Sequence, residues 1–356
     1  MLFKNIVLEY NMKIQLLSII ARGAKNSRYL IHIETGYRSV LLPNDKSYSI
    51  LDEVDIEENK IDKVNDKWVE RYFSFSKTKE RVLNHLFKYK ENVLKIPEQG
   101  YWTSSYGERK WYNHILPDES EKKNLIESEY FSSLEETYEN IKMANNLHIA
   151  FKHLNSSQAF AFNFFQPIID ENLFIDLLDF WHYNSKPKSE FEKIDKEDKT
   201  QFDLFISTNE RSCSFEIKYI EQNFGDVPID EKHHTKWENI YKEKIATLCG
   251  KDAISEEEFF ENYQLWRNIL FAEKSGHDTC FLFPKFRNDL EEVVESARKK
   301  CGQVKESVHI LYADKFVEQI LSDSKYSEKL KKHYTEFKQK YLEFDNTNLN
   351  TEKSTS

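Results

Sequence analysis

Glycine is scarce in this chain, with eight in 356 residues, at positions 23, 36, 100, 107, 225, 250, 276 and 302. No two are spaced as GxGxxG or as a Walker A loop, so the backbone cradles that hold a dinucleotide pyrophosphate or a nucleoside triphosphate are missing. Nicotinamide-dependent redox chemistry and P-loop hydrolysis are therefore disfavoured. The four cysteines, at 213, 249, 280 and 301, contain no CxxC pair. That spacing speaks against a zinc ribbon and gives no sign of a disulfide framework, and a reducing cytoplasm is the expected compartment. The eleven histidines include no HExxH, the zinc-hydrolase pattern. Long apolar runs are lacking too. The stretch from Leu16 to Ile20 is interrupted on both sides by Glu9, Lys13 and Arg22, so neither a membrane span nor a signal segment is expected. Chemistry is left to carboxylates and lysines.

What the chain does have is apolar and aromatic material, with 39% hydrophobic residues, 26 Phe, 19 Tyr and 6 Trp. That is ample for a packed interior, and 356 residues are too many for one ordinary core, so two domains are expected. The net charge of -10 argues by itself against a nucleic-acid partner, yet charge is unevenly distributed. Between Lys67 and Lys110 ten basic residues stand against five acidic ones, interleaved with Trp68, Tyr72, Phe73, Phe75, Phe87, Tyr89, Tyr101, Trp102 and Tyr106. Such a mixture either tracks a phosphate backbone or forms a solvated face over an aromatic core.

Residues 27 to 42 read as two strands around Thr35-Gly36, and residues 78 to 94 as a helix with Val82, Leu83, Leu86 and Phe87 at helical spacing. An N-terminal α+β domain is expected over 1–145, ending in an acidic, Ser-rich connector at 116 to 140. The second domain, expected over 146–345, opens with capping-type residues and an apolar helix at 155 to 169 that Pro167 should end, followed by a helical run at 171 to 183. Residues 186 to 199 read as a polar loop. Two strands, a helix ending at Gly276, a strand, a helix at 286 to 301, a strand and a Lys-rich helix at 325 to 340 follow, which is the order of an α/β sandwich. The last residues, 346–356, read as a polar tail.

The two strands lie in "FDLFISTNERSCSFEIK", residues 202 to 218. With the turn centred between Asn209 and Glu210, Ile206 faces Cys213, Leu204 faces Phe215, and Asp203 faces Glu216. Only this register points Leu204, Ile206, Cys213 and Phe215 to one side, because a one-residue slip turns a whole strand over. Asp203 and Glu216 become cross-strand neighbours, and Lys218 shares their face. Two adjacent carboxylates repel, a conflict that a divalent cation resolves, and an all-oxygen donor set favours Mg²⁺ or Mn²⁺. Phosphodiester hydrolysis is the implied reaction, with the lysine assisting the attacking water. The bland reading is a surface ladder of ion pairs.

Asp203 and Glu216-Ile217-Lys218 in this context resemble the PD-(D/E)XK, or restriction-endonuclease-like, nuclease superfamily. The triplet alone carries nothing, since ENK at 58, ERK at 108, EKK at 121 and EDK at 197 also occur. "HLNSSQAFAFNFF", "FDLFIS", "FEIKYIE" followed by Gly225, and "YQLWRN" together are similar to a bacterial group of restriction-endonuclease-like proteins, over about residues 112 to 285. Two departures stand out. Phe202 replaces the motif's proline, and the preceding helix shows no acidic residue to match the extra glutamate of many members. The resemblance implies a mixed sheet flanked by helices, Asp203 and Glu216 as metal ligands, Lys218 as the catalytic lysine, and DNA as substrate, RNA not being separated from it. Gln264 and Arg267, read with Asn268 on a helix face opposite Tyr263, and Ser157 and Gln158 at a helix start, are the candidate phosphate contacts. Defence against foreign DNA is the implied role. The N-terminal domain is the candidate surface for substrate, a protein partner or a second copy of the chain. The rival reading is a catalytically silent nucleic-acid-binding or interaction module of the same fold.

Overall fold

The structure, a computed structural model, describes residues 11–22, 26–33, 36–43, 53–57, 61–63, 66–103, 107–182, 185–196, 199–251, 253–274 and 276–344. The expected tail at 346–356 lies outside the described residues. The chain divides into two compact units, 1–77 and 78–356. The first unit carries an antiparallel sheet of β1 (Asn11–Arg22), β2 (Asn26–Ile33), β3 (Gly36–Pro43), β4 (Glu53–Glu57) and β5 (Ile61–Lys63), in the order β4-β1-β2-β3-β5. The apolar N-terminal stretch from Leu16 to Ile20 lies within β1. Among the described residues no helix is long and apolar enough to cross a membrane.

The division falls well before the expected boundary at 145. Val82 and Leu86 of helix α1 (Asp66–Asn92), Leu116, Leu125, and Leu134 and Tyr138 of α2 (Phe131–Met143) share one core with α3 (Ser157–Glu171). An acidic connector on paper is thus a layer in the fold, its charges outward and its apolar residues buried. Between α1 and α2 stands a two-stranded ribbon, β6 (Gly100–Thr103) and β7 (Arg109–Tyr112).

The second sheet has five strands in the order β12-β11-β10-β9-β8. β8 (Lys188–Ile194), β9 (Gln201–Ser207) and β10 (Ser212–Ile217) form an antiparallel meander, and β11 (His277–Phe283) and β12 (Val308–Tyr312) add in parallel to β10. One face packs on α3, α10 (Ala313–Ser322) and α11 (Glu328–Tyr341), with Phe160, Phe164, Phe165, Leu204, Phe215, Leu282 and Phe337 in a common core. The other face packs on α8 (Tyr263–Ala272) and α9 (Asn288–Lys300), through Phe281, Phe283, Trp266, Ile269 and Val294. β11 is buried on both sides, as a central parallel strand must be. This mixed sheet between helical layers is the expected restriction-endonuclease-like core.

Several local readings are corrected. The supposed loop at 186 to 199 contains β8, whose charges hide its strand character because it is an edge strand, and edges are where natural sheets place charge. Pro167 lies inside α3 instead of ending it. A proline there cannot donate to the Asn163 carbonyl, and His333 Nε2 donates to that carbonyl at 2.7 Å in its place. The helical run at 171 to 183 shrinks to α4 (Phe174–Leu177). His233 and His234 lie in a short helix, α5 (Glu231–Lys236), which Asp230 caps. The helix before Gly276 is two, α7 (Glu256–Glu261) and α8, broken at Asn262.

Cysteine usage is corrected as well. Cys249, at the end of α6 (Lys242–Cys249), and Cys301, just past α9, form a disulfide across 52 residues of sequence. Cys213 and Cys280, on neighbouring strands, are free thiols whose sulfurs share a hydrogen bond at 3.2 Å. Spacing cannot reveal pairs that two helix ends and two sheet neighbours bring together.

Candidate active site

β9 and β10 pair with Ile206 opposite Cys213 and Leu204 opposite Phe215, the register that alternation dictates. Asp203, one step beyond Leu204, accepts a hydrogen bond at Oδ2 from the Ile217 amide at 2.6 Å. Glu216 is the last but one residue of β10, and Lys218 follows the strand, its amide donating to Leu282 O at 2.9 Å so that the parallel pairing with β11 continues. Asp203 retains partial exposure while Glu216 and Lys218 are buried. The three side chains meet where β9 begins and β10 ends.

Lys218 Nζ lies 2.9 Å from Glu216 Oε1 and donates to Gln264 Oε1 at 2.8 Å. Asn268 Nδ2 donates to the other oxygen of Glu216 at 3.1 Å, and to the Gln264 carbonyl at 2.9 Å. One turn of α8 thus holds both members of the Glu-x-Lys pair. Gly225 seats that turn. Its carbonyl accepts from the Tyr263 amide at 3.1 Å, its φ is 81°, and an added Cβ would stand 2.8 Å from Gln264 Oε1.

Burial drives the electrostatics. It pushes the Asp203 carboxyl well above the ordinary range, and the negative charges of Glu216 and Glu192 push further, against Lys218 and the Ile217 amide. Burial works against the charge on Lys218, but Glu216, Glu221 and Asp203 outweigh it and raise its pKa. The cluster sets three carboxyl groups, Asp203, Glu216 and Glu192, against a single lysine, so that without a further cation they resist ionising together.

Glu192 is the residue that sequence reasoning missed. It sits in β8 with φ of 55°, between the pairs Phe191–Leu204 and Lys193–Phe202, and so directly across from Asp203. Its oxygens each accept from a glutamine, Gln158 Nε2 at 2.6 Å and Gln201 Nε2 at 2.6 Å. Burial raises its carboxyl to about 7, with the two amides opposing and Glu216 adding to the rise. An acidic residue therefore stands beside Asp203 on the neighbouring strand and not on the preceding helix. Periodicity could not have found it in a segment that reads as a loop.

The other candidates divide. Gln158 reaches the cluster through Glu192, and Gln264 through Lys218. Among the described residues Ser157 is brought to neither; the cap of α3 is Ser156, whose hydroxyl accepts from the Ala159 amide. Arg267 places its guanidinium over the Tyr263 ring, 4.9 Å from the centroid, so the two share a side of α8 and are not on opposite faces, as i and i+4 positions dictate. Phe202, in the place of the motif's proline, packs with Phe205 and Phe271 and ties the start of β9 to the end of α8. In the basic segment, Lys77 and Lys88 are exposed, Lys79 is half-buried, and Lys90 is fully buried against the carbonyls of Glu98 and Ile115.

Among the described residues no three His, Cys, Asp or Glu side chains group to enclose a metal ion. The donor chemistry still fits one hard cation. Asp203 and Glu216 are oxygen donors, and Mg²⁺ commonly takes one or two carboxylates and completes its shell with water and substrate phosphate.

No curated protein and no solved structure matches the chain. A family model described as "Restriction Endonuclease associating with ARP" matches residues 83–342, which include every element of the site. The chain belongs to that restriction-endonuclease family.

Proposed function

We propose that this protein is a metal-dependent nuclease that hydrolyses phosphodiester bonds of DNA. One observation carries the reading: Asp203, Glu216 and Lys218 converge at one end of the sheet, two carboxyl groups beside one ammonium. A bound Mg²⁺ or Mn²⁺ would polarise a phosphoryl oxygen and lower the pKa of a water. Asp203 and Glu216 would hold the ion. Lys218, fixed by Gln264, would orient the attacking water and offset charge as the new P–O bond forms and the old ester bond breaks. The leaving oxygen then takes a proton from solvent. Asn268 would keep Glu216 in its ligating rotamer. The family's description names restriction and an association, which favours a defence role against incoming DNA and a protein partner.

The test is cleavage of duplex DNA with Mg²⁺ or Mn²⁺ by the wild type and by Asp203→Ala, Glu216→Ala and Lys218→Ala. Each variant should lose at least about a hundredfold in rate while keeping a cooperative melting transition. Undiminished cleavage by all three removes the site assignment.

A further inference from the structure

The ribbon β6–β7 is left over once the core and the site are accounted for. It forms a sheet of its own with only two strands. All four residues of β7, Arg109 to Tyr112, are exposed, and Trp111 leaves 57% of its surface in water. A large aromatic beside two cations on an open ribbon is costly to display without a partner.

Side-chain contacts brace the ribbon. Tyr101 and Trp111, directly paired across it, pack edge to face with centroids 5.2 Å apart. The guanidinium of Arg109 lies 4.4 Å, and the ammonium of Lys152 4.0 Å, from the centroid of the Tyr101 ring. Two acids stand close by: Asp118 is bound by Lys152 and by the Tyr101 hydroxyl and also faces Arg109, and Glu108 precedes Arg109 in the chain. At the base, the Gly100 amide donates to Ile115 O at 2.9 Å, and a Cβ at Gly100 would stand 2.2 Å from Leu116 O. On the other face of the ribbon Trp102 packs on His153 and Tyr112 on His114, and the exposed Lys110 stands across from Trp102.

Its placement matters. Residues 114 to 116 pair with 152 to 154, through Leu116 N to Lys152 O at 3.0 Å and Leu154 N to His114 O at 3.1 Å. Three residues later α3 begins, and its Gln158 touches Glu192 beside Asp203. The ribbon therefore rises from the segment that leads into the catalytic cluster.

We infer that the β6–β7 ribbon is a substrate arm that enters a groove of duplex DNA while the scissile phosphate lies at Asp203 and Glu216. A two-stranded ribbon fits the major groove, Arg109 and Lys110 supply the charge a phosphate backbone requires, and Trp111 supplies an apolar contact to base edges. The inference rests on the nuclease reading and adds to it the form of the substrate.

The experiment measures binding of a fluorescent 20-base-pair duplex and of one of its single strands, across a salt series, in the cleavage-dead Asp203→Ala protein. Arg109→Glu/Lys110→Glu and, separately, Trp111→Ala are added to that background, and their melting temperatures are checked against it. The charge pair should weaken duplex binding at least tenfold and reduce the log-log salt slope by about two, and Trp111→Ala should weaken the duplex more than the single strand. In the otherwise wild-type protein, kcat at saturating duplex should hold while KM rises. Duplex affinity and slope unchanged in both folded variants would overturn the arm alone and turn this face over to a protein partner. No duplex binding by the Asp203→Ala protein, with no cleavage by the wild type, would overturn the arm and the nuclease reading together.

Discussion

Glu192 stands directly across the β8–β9 ladder from Asp203, held there by a left-handed backbone and by two glutamine amides. A positive φ at a glutamate costs about 1 kcal/mol or more, so the surrounding bonds must impose it. The burial that raises its carboxyl from 4.5 to about 7 has a pH signature. Between those values the unfolded chain releases a proton that the folded chain keeps, so stability falls as pH rises through the window, by roughly 3 kcal/mol at most. Glu192→Gln keeps the shape and removes the titration. Melting curves without divalent ions should show the variant gaining on the wild type between pH 4.5 and 7, and parallel curves would refute the raised carboxyl.

A cation between Asp203 and Glu216 would stabilise only the folded state, by an amount that grows with concentration over dissociation constant. Mn²⁺ at a hundred times that constant should add about 2.7 kcal/mol to the wild type. The double variant Asp203→Ala/Glu216→Ala should show no shift. Equal shifts in both would place the ion elsewhere.

Gly225 and Gln264 make a pair whose roles can be separated. Gly225→Ala puts a Cβ where Gln264 Oε1 now lies, on a backbone with φ of 81°, and should cost about 1–2 kcal/mol of stability. It should also free Lys218 from one of its two partners and lower kcat. Gln264→Ala should lower kcat to a similar degree with little loss in melting temperature. If Gly225→Ala lowers stability but leaves kcat intact, the seat is structural only.

The hairpin was legible because its apolar residues alternate and one core collects them, which leaves no freedom for Asp203 and Glu216. Glu192 was hidden, since β8 has the composition of a loop and nothing local announces a left-handed residue within a strand. Asn268 was visible as a polar residue on an apolar helix, but its bond to Glu216 depends on how α8 crosses the sheet. Lys90 shows the reverse limit. A lysine in a charge run reads as surface, yet two carbonyls receive its ammonium inside the fold. Cys249 and Cys301 meet only because α6 and α9 end together, a tertiary fact with no trace in their spacing.

Pro167 and His333 provide the sharpest test of how the scaffold under the site is held. The Asn163 carbonyl, four residues before the proline, has lost its helical donor, and His333, fully buried, donates to it from Nε2 while Ser128 Oγ lies 2.7 Å from Nδ1. His333→Phe would leave that carbonyl buried and unpaired, at about 1–3 kcal/mol. In a Pro167→Ala background the new amide can donate to Asn163 O, so the same histidine change should cost clearly less. Burial lowers the imidazole pKa to about 4. Below the ordinary value of 6.5 the unfolded chain therefore binds a proton that the folded one refuses. Stability should fall as pH drops from 6.5 towards 4, and His333→Phe should flatten that decline. Additive costs in the two backgrounds, measured by denaturant unfolding, would mean that the histidine does not replace the bond the proline removes.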